Sequence, residues 1–147
     1  MIEDILSTLK YNNIQLQPCS DEDIVMLEDM HGIKLPVAYK QFLAVAGRGA
    51  DTYMAGSDWE YEKLDSVNRE AIALLACHGC QDLPDKAFIC WMHQGYQFAF
   101  FVCDGNDDPA IFYYNETAGR ADFVQTYDRL SDWLYDELVL ASLEIPG

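Results

Sequence analysis

The chain has 147 residues, of which half are hydrophobic, and a formal net charge of −16. This composition excludes a disordered chain and is typical of a folded globular protein. The charge disfavours nucleic acid and anionic membranes as partners, because their phosphates repel an acidic surface. No apolar run approaches the ~20 residues of a membrane span. The segment MIEDILSTLK lacks the basic region of a signal peptide, so a cytoplasmic location is expected.

Three helices are predicted in the first third of the chain. The apolar residues of MIEDILSTLK recur at i, i+3, i+4 and i+7, which predicts a helix over residues 1–10. Ser20 is a preferred N-cap residue and three acids follow it, so a second helix is expected to begin there. Gly32 is expected to end that helix. Pro36 is expected to open a third helix, which Gly47 and Gly49 close. The side chains of that helix that are expected to be buried are Tyr39, Phe42 and Leu43.

The second half of the chain changes from helical spacing to short apolar runs. After an irregular segment over 50–64, a fourth helix is predicted from a cap at Asp65 or Ser66 to about Cys77. Ser131 is expected to cap a final helix. Aromatic-rich runs predict strands over 86–92, 97–103 and 110–115, and a further strand is predicted over 122–127.

This order of elements indicates an α+β fold in a single domain, 1–147. N-terminal helices are expected to precede a mainly antiparallel sheet of about four to six strands, with a C-terminal helix packed on the sheet. The strand aromatics are expected to be mostly core, and some of them are expected to form an exposed patch, because the predicted helices are enough to cover only one face of the sheet. These aromatics are Phe98, Phe100, Phe101, Phe112, Tyr113 and Tyr114.

Three motifs in chain order resemble the signature of the SUKH superfamily. The first is similar to LPxxYxxFL…GG, the second to an Asp-Pro strand entry and the third to a Leu-Ser-x-Trp-Leu helix start. The segment Ala46-Gly47-Arg48-Gly49 departs from the Asn-Gly-Gly that is frequent in the superfamily. The motif residues are Leu35, Pro36, Tyr39, Phe42, Leu43, Gly47, Gly49, Asp108, Pro109, Trp133 and Leu134.

The resemblance implies a SUKH-like α+β protein that acts by binding another protein, without catalysis and without a cofactor. The superfamily includes yeast cell-wall-assembly regulators and many bacterial immunity proteins, which neutralise toxins. Many such toxins are nucleases with a basic surface, which suits a chain of net charge −16. The alternative is a regulatory or scaffold domain of the same fold without a toxin partner.

Two acidic segments are the candidate partner-binding surface. Both lie in the least regular parts of the chain, and loops frequently carry recognition. We expect the two segments to meet at one end of the sheet and to attract a basic toxin domain. The candidate residues are Asp58, Glu60, Glu62, Asp104, Asp107 and Asp108.

The spacing C-x2-C-x9-C-x2-H raises the alternatives of a zinc site and a thiol redox pair. The four residues are Cys77, Cys80, Cys90 and His93. An offset of three along a strand places Cys90 and His93 on opposite faces, which disfavours zinc. Cys77 falls at the end of a predicted helix, where the dipole does not activate a thiol. Buried, reduced cysteines are the favoured interpretation, so no metal is expected.

Other catalytic and metal-binding patterns do not fit the sequence. The run Asp104–Asp108 resembles the start of a calcium loop, but position 12 of such a loop would be Asn115 in place of a bidentate Glu. No nucleophile elbow, zinc-protease motif or phosphate-binding glycine loop is present. The sequence therefore predicts a binding protein and not an enzyme.

Overall fold

The structure, a computed structural model, describes residues 2–50, 53–77, 82–116 and 123–141. Helices come first, then a meander of strands, then a C-terminal helix, which confirms the α+β prediction. The helices are α1 (Ile2–Tyr11), α2 (Asp21–His31), α3 (Val37–Ala46), α4 (Tyr61–Cys77) and α5 (Leu130–Leu140). The strands are β1 (Leu16–Gln17), β2 (Gly49–Ala50), β3 (Ala87–His93), β4 (Gln97–Val102), β5 (Ile111–Asn115) and β6 (Val124–Tyr127).

The main sheet is antiparallel, with four strands in the order β3-β4-β5-β6. The short strands β1 and β2 pair separately, with Leu16 opposite Ala50. This sequential order follows from the short connections between the strands, since antiparallel neighbours need only tight turns. The four predicted strand regions are confirmed to within one or two residues.

Helices cover both faces of the sheet. On one face Phe88 and Phe101 pack with residues of α1, α2, α3 and α5. On the other face Phe98 and Phe100 pack with α4. Phe98, Phe100, Phe101 and Tyr114 are buried, which confirms that the strand aromatics are mostly core. Phe112 and Tyr113 are half-buried and none of the six is exposed, so the expected exposed patch is wrong. The predicted helices are enough because α4 covers the second face at β3, and Leu83 and Phe123, which lie outside the helices, pack on the same cluster.

The outer edge of β3 is hydrogen-bonded by other parts of the chain. The Asn68 side chain of α4 bonds both backbone groups of Ile89, at 2.9 and 3.0 Å. Asp58 and Met92 exchange two backbone hydrogen bonds, at 2.8 and 2.9 Å. An unpaired strand edge is a template for association with other chains, so these contacts protect β3.

Several predicted helix boundaries are confirmed and two need correction. Ser20 caps α2 in a reciprocal capping box with Asp23, and Gly32 ends that helix with φ 64°. However, α4 begins at Tyr61, four residues before the predicted cap, because the backbone N–H of Tyr61 donates to the Gly47 carbonyl at 2.7 Å. Arg129 occupies the N-cap position of α5, so Ser131 lies inside that helix. Within the described ranges no helix combines the length and the apolar character that crossing a bilayer requires.

Candidate protein-binding surface

The six candidate acids occupy two segments of the structure. Asp58, Glu60 and Glu62 lie at and before the start of α4. Asp104, Asp107 and Asp108 lie in the β4–β5 loop, which covers residues 103–110. Asp58, Glu62, Asp104 and Asp107 are exposed, whereas Glu60 and Asp108 are half-buried.

The two acidic segments lie at opposite ends of β3, so the expectation that they meet at one end of the sheet is wrong. Asp58 pairs with Met92 near the C-terminal end of β3. The β4–β5 loop follows Val102, which pairs with Ala87 at the other end of that strand. Five residues of a strand span roughly 15 Å, which is more than the screening length at physiological salt.

Glu62 is held by an ion-pair cluster centred on Arg48. The Arg48 guanidinium lies 2.8 Å from a Glu62 carboxylate oxygen and 3.1 Å from an Asp23 carboxylate oxygen. It also lies over the Tyr61 ring, 4.6 Å from the centroid. The Ser20 backbone N–H and Arg48 hold the pKa of Asp23 below its usual value. Arg48, by which this chain departs from the usual Asn-Gly-Gly segment, therefore neutralises Glu62 of the first acidic segment.

The β4–β5 loop is ordered by hydrogen bonds of its own side chains. An Asp104 carboxylate oxygen accepts from the backbone N–H of Asn106 at 3.0 Å. The Asn106 side chain in turn accepts from the backbone N–H of Asp108 at 2.9 Å. These are two consecutive Asx turns, a conformation that short polar side chains favour. The acids of this loop are thus presented from a defined backbone.

The three sequence motifs meet at this loop. The backbone N–H of Ala38, in the first turn of α3, donates to the Asp107 carbonyl at 2.9 Å. The Asp108 carboxylate accepts from the backbone N–H and the hydroxyl of Ser131, at 2.9 and 2.5 Å. The first N–H groups of a helix have no partner within that helix, so one loop satisfies such groups of both α3 and α5. Asp108, which is both a motif residue and a candidate partner-binding acid, therefore has a structural role.

The other motif residues pack in the core. The predicted burial of Tyr39, Phe42 and Leu43 is confirmed. A Cβ atom at Gly47 would overlap the Cys19 thiol and lie 2.7 Å from the Leu43 carbonyl oxygen, so only glycine fits there. The remaining buried motif residues are Leu35, Pro36, Pro109, Trp133 and Leu134, and Gly49 is half-buried in β2.

The cysteine and histidine residues of the zinc alternative have different surroundings. The predicted burial is wrong for Cys77, which is exposed because it lies on the outer side at the end of α4, and Cys80 lies outside the described residues. Cys90 is buried with its Sγ 3.6 Å from the Ala99 carbonyl, and burial raises the pKa of its thiol. The His93 Nδ1 lies 2.9 Å from the Ser57 hydroxyl, and its ring stacks on Trp91.

The strand argument against zinc needs a correction. The register of β3 on β4 shifts between Ile89 and Trp91, so Cys90 and Trp91 both face the cluster of α1, α2, α3 and α5. The simple alternation of faces does not hold across this bulge. Among the described residues, no group of three or more His, Cys, Asp or Glu side chains is arranged to hold a metal ion.

The exposed face of α2 is a feature that the sequence reasoning missed. Val25, Met26 and Met30 are more than half exposed there, while Ile24 and Leu27 are buried on the opposite side. Asp29, near the end of α2, lines a cleft of about 510 Å³ together with Asp104. The only sequence signal was a helix with apolar residues on two sides, which is atypical of a surface helix.

Comparison with known proteins agrees with the geometry of the three motifs. The model of the SMI1 / KNR4 family (SUKH-1) matches residues 18–136, a range that includes all three motifs. A search of curated proteins found no match. Because the matched range covers most of the 147 residues and the motif residues form one connected structural unit, the chain belongs to the SMI1 / KNR4 family (SUKH-1).

Proposed function

We propose that the protein binds a basic protein partner, namely a bacterial toxin domain, and neutralises that partner without catalysis and without a cofactor. The observation that carries the proposal is a net charge of −16 on a member of the SUKH-1 family. A toxin that acts on nucleic acid presents a basic surface to the phosphates. An acidic protein that occupies this surface blocks access of the substrate, and complementary charge favours the encounter.

The acids available to such a partner are a subset of the six candidates. Asp58, Asp104 and Asp107 have exposed carboxylates, and Glu60 is half-exposed. Glu62 is already paired with Arg48, and Asp108 is already bonded to Ser131. We therefore assign a structural role to Asp108. The contacts with the partner are assigned to Asp58, Glu60, Asp104 and Asp107.

Order in the β4–β5 loop supports a recognition role. The loop is held at the Asp107 carbonyl by α3 and at the Asp108 carboxylate by α5, so its backbone needs little ordering on binding. A preordered surface loses less conformational entropy when a partner binds, which increases affinity. The free buried thiols of Cys19, Cys90 and Cys103 suit a reducing compartment, and we place the protein in the cytoplasm.

A second candidate function is regulation or scaffolding without a toxin. The family match favours it equally, because the resemblance extends to yeast cell-wall-assembly regulators as well as immunity proteins. The two functions differ in gene context: an immunity protein is encoded beside a toxin gene, and a constitutive regulator is not.

The test is to co-express the protein with the product of the neighbouring gene and to measure growth and association. Wild type should restore growth, and its association rate should fall as salt is raised. The double variant Asp104→Lys, Asp107→Lys should associate about tenfold more slowly at low salt. Glu70→Lys, at an exposed site on α4, is the matched control and should associate at nearly the wild-type rate.

Two results would contradict the proposal. If the neighbouring product neither harms growth nor binds the protein, the toxin-neutralising role is wrong. If the product binds without any dependence on salt, the acidic-surface mechanism is wrong even though the binding role survives.

A further inference from the structure

The outer face of α2 is apolar along its middle and acidic towards both ends. Val25 is 53% exposed, Met26 58% and Met30 56%. Ile24 and Leu27 are buried on the inner side of the same helix. A helix that is apolar on two sides is normally enclosed on both, whereas the described residues cover only the inner side of α2. Methionine adapts its shape to a bound partner, so it is over-represented on binding surfaces.

A groove between α2 and α3 continues this apolar face. Its volume is about 440 Å³. The apolar side chains that line it are Ile24, Val25, Val37 and Ala44, and of these Val37 is 44% exposed. The polar lining includes Asp21 on the α2 side and Lys40 on the α3 side. A groove of this kind between two helices is the type of site that accepts the apolar side of a third helix.

Three carboxylates surround the apolar face, and helix stability explains only two of them. Asp21 and Glu22 lie in the first turn of α2, where the helix dipole favours negative charge. Asp29 lies in the last turn, where the dipole disfavours negative charge. Within the described part of the chain, none of the three forms an ion pair. Their charge is therefore left for a cation from another molecule.

We propose that the α2 surface, formed by Asp21, Glu22, Val25, Met26, Asp29 and Met30, binds a basic amphipathic helix of the partner protein. This inference rests on the proposed function, because it takes the partner to be basic. Apolar side chains of that helix, at i, i+3 or i+4 and i+7, fill the groove. Its lysine and arginine side chains meet the carboxylates around the apolar face.

Charge excludes other occupants of the α2 surface. A second copy of the chain, docked by the same face, would bring two sets of the same three carboxylates together. An anionic membrane would be repelled by Asp21, Glu22 and Asp29. The surface is also continuous with the proposed partner site, because Asp29 and Asp104 line one cleft, whose lining also includes Lys34 and Lys86. A basic helix on α2 and a contact on the β4–β5 loop therefore belong to one partner.

The test uses a synthetic leucine–lysine peptide of about 18 residues with amphipathic helical spacing, long enough to form a helix on binding. Calorimetry should show one peptide bound per chain, and a scrambled peptide of the same composition should bind at least about tenfold more weakly. Met26→Gln with Met30→Gln should weaken binding by about tenfold. Ile72→Gln, an equally exposed apolar site on α4, is the control and should bind like wild type.

A second set of variants tests the charges. Asp21→Asn, Glu22→Gln and Asp29→Asn together should weaken peptide binding and reduce its salt dependence, while Glu70→Gln should change neither. Melting curves for every variant confirm that the fold is intact. If the peptide does not bind, or binds the Met26/Met30 variant as tightly as wild type, the inference is wrong.

The same variants separate this inference from the proposed function. If the neighbouring gene's product binds wild type and the Met26/Met30 variant equally, the α2 surface is not its site and the proposed function stands. Alternatively, that product binds neither wild type nor the Met26/Met30 variant, while the peptide binds wild type more tightly than that variant. The toxin assignment is then wrong, and the α2 surface remains a site for basic helices.

Discussion

The Tyr39 side chain combines a favourable ring position with an unsatisfied hydroxyl group. Its ring lies 5.0 Å from that of Phe101 and 5.8 Å from that of Phe88, in the interior between α3 and the sheet. The hydroxyl has no hydrogen-bond partner among the described residues, and burial raises its pKa well above the usual value. A buried polar group without a partner costs free energy, so the motif tyrosine contributes through its ring.

We predict that Tyr39→Phe raises the free energy of unfolding by about 1 kcal/mol, because it removes an unsatisfied hydroxyl and keeps the ring. Phe42→Ala, on the same helix, should lower the free energy of unfolding by roughly 3–5 kcal/mol through the cavity that it creates. Urea denaturation of the two variants and wild type measures both changes. A clear loss of stability in Tyr39→Phe would show that the hydroxyl is hydrogen-bonded.

At the scale of elements, the β4–β5 loop joins the first turns of α3 and α5. The Asp107 carbonyl and the Asp108 carboxylate accept hydrogen bonds from groups that the helices cannot satisfy internally. Asp108 thus performs the capping role that we had predicted for Ser131, but from a position 23 residues away. The carboxylate also lies at the positive end of the helix dipole, which adds to its contribution.

We predict that Asp108→Ala lowers the free energy of unfolding by roughly 1–3 kcal/mol, because the backbone N–H and the hydroxyl of Ser131 both lose their acceptor. Asp107→Ala is the control, since Asp107 acts through its backbone carbonyl and its side chain is exposed. That variant should change stability by less than about 0.5 kcal/mol. The measurement is again denaturant unfolding.

A double-mutant cycle tests the cause of the Asp108 effect. The combined cost of Asp108→Ala and Ser131→Ala should be smaller than the sum of the two single costs by about 1 kcal/mol. Strict additivity would mean that the two side chains do not interact, and would refute the capping role of Asp108.

The whole molecule carries an excess of negative charge that its own ion pairs do not balance. Twenty-five acidic residues stand against nine lysines and arginines. Among the described residues, ion pairs of Arg48, Arg69 and Arg129 use three of these cations. Repulsion among the remaining carboxylates destabilises the compact state, and the same field attracts a basic partner. Stability and recognition thus place opposite demands on the charge.

We predict that the melting temperature rises when sodium chloride is increased from about 10 mM to about 300 mM, because salt screens the repulsion. The variant Asp29→Asn, which removes a carboxylate from the last turn of α2 where the helix dipole disfavours it, should melt higher than wild type at low salt and gain less from added salt. A melting temperature that falls with salt would mean that attraction within ion pairs outweighs the net repulsion.

Local features of the structure could be predicted from the sequence because their causes lie within a few residues. The Ser20 cap and the Gly32 end of α2 depend on side-chain and backbone preferences of adjacent residues. The strands over 87–93 and 97–102 follow from runs of apolar residues between turns. The α+β class, the family signature and the burial of Tyr39, Phe42 and Leu43 could be predicted for the same reason, because each depends on patterns within short segments of the sequence.

Only the tertiary structure decided which distant residues meet. Asp108 reaches Ser131, Arg48 reaches Glu62, and α4 begins where the Gly47 carbonyl accepts its first N–H. The two acidic segments are separated by the length of β3, and the bulge at Cys90 changes which side chains share a face of the sheet. Each of these depends on chain packing and strand register, which are set by the whole core and not by neighbouring residues. For the same reason the sequence identified α2 as a helix, and only the packing of its inner side revealed which of its apolar residues remain exposed.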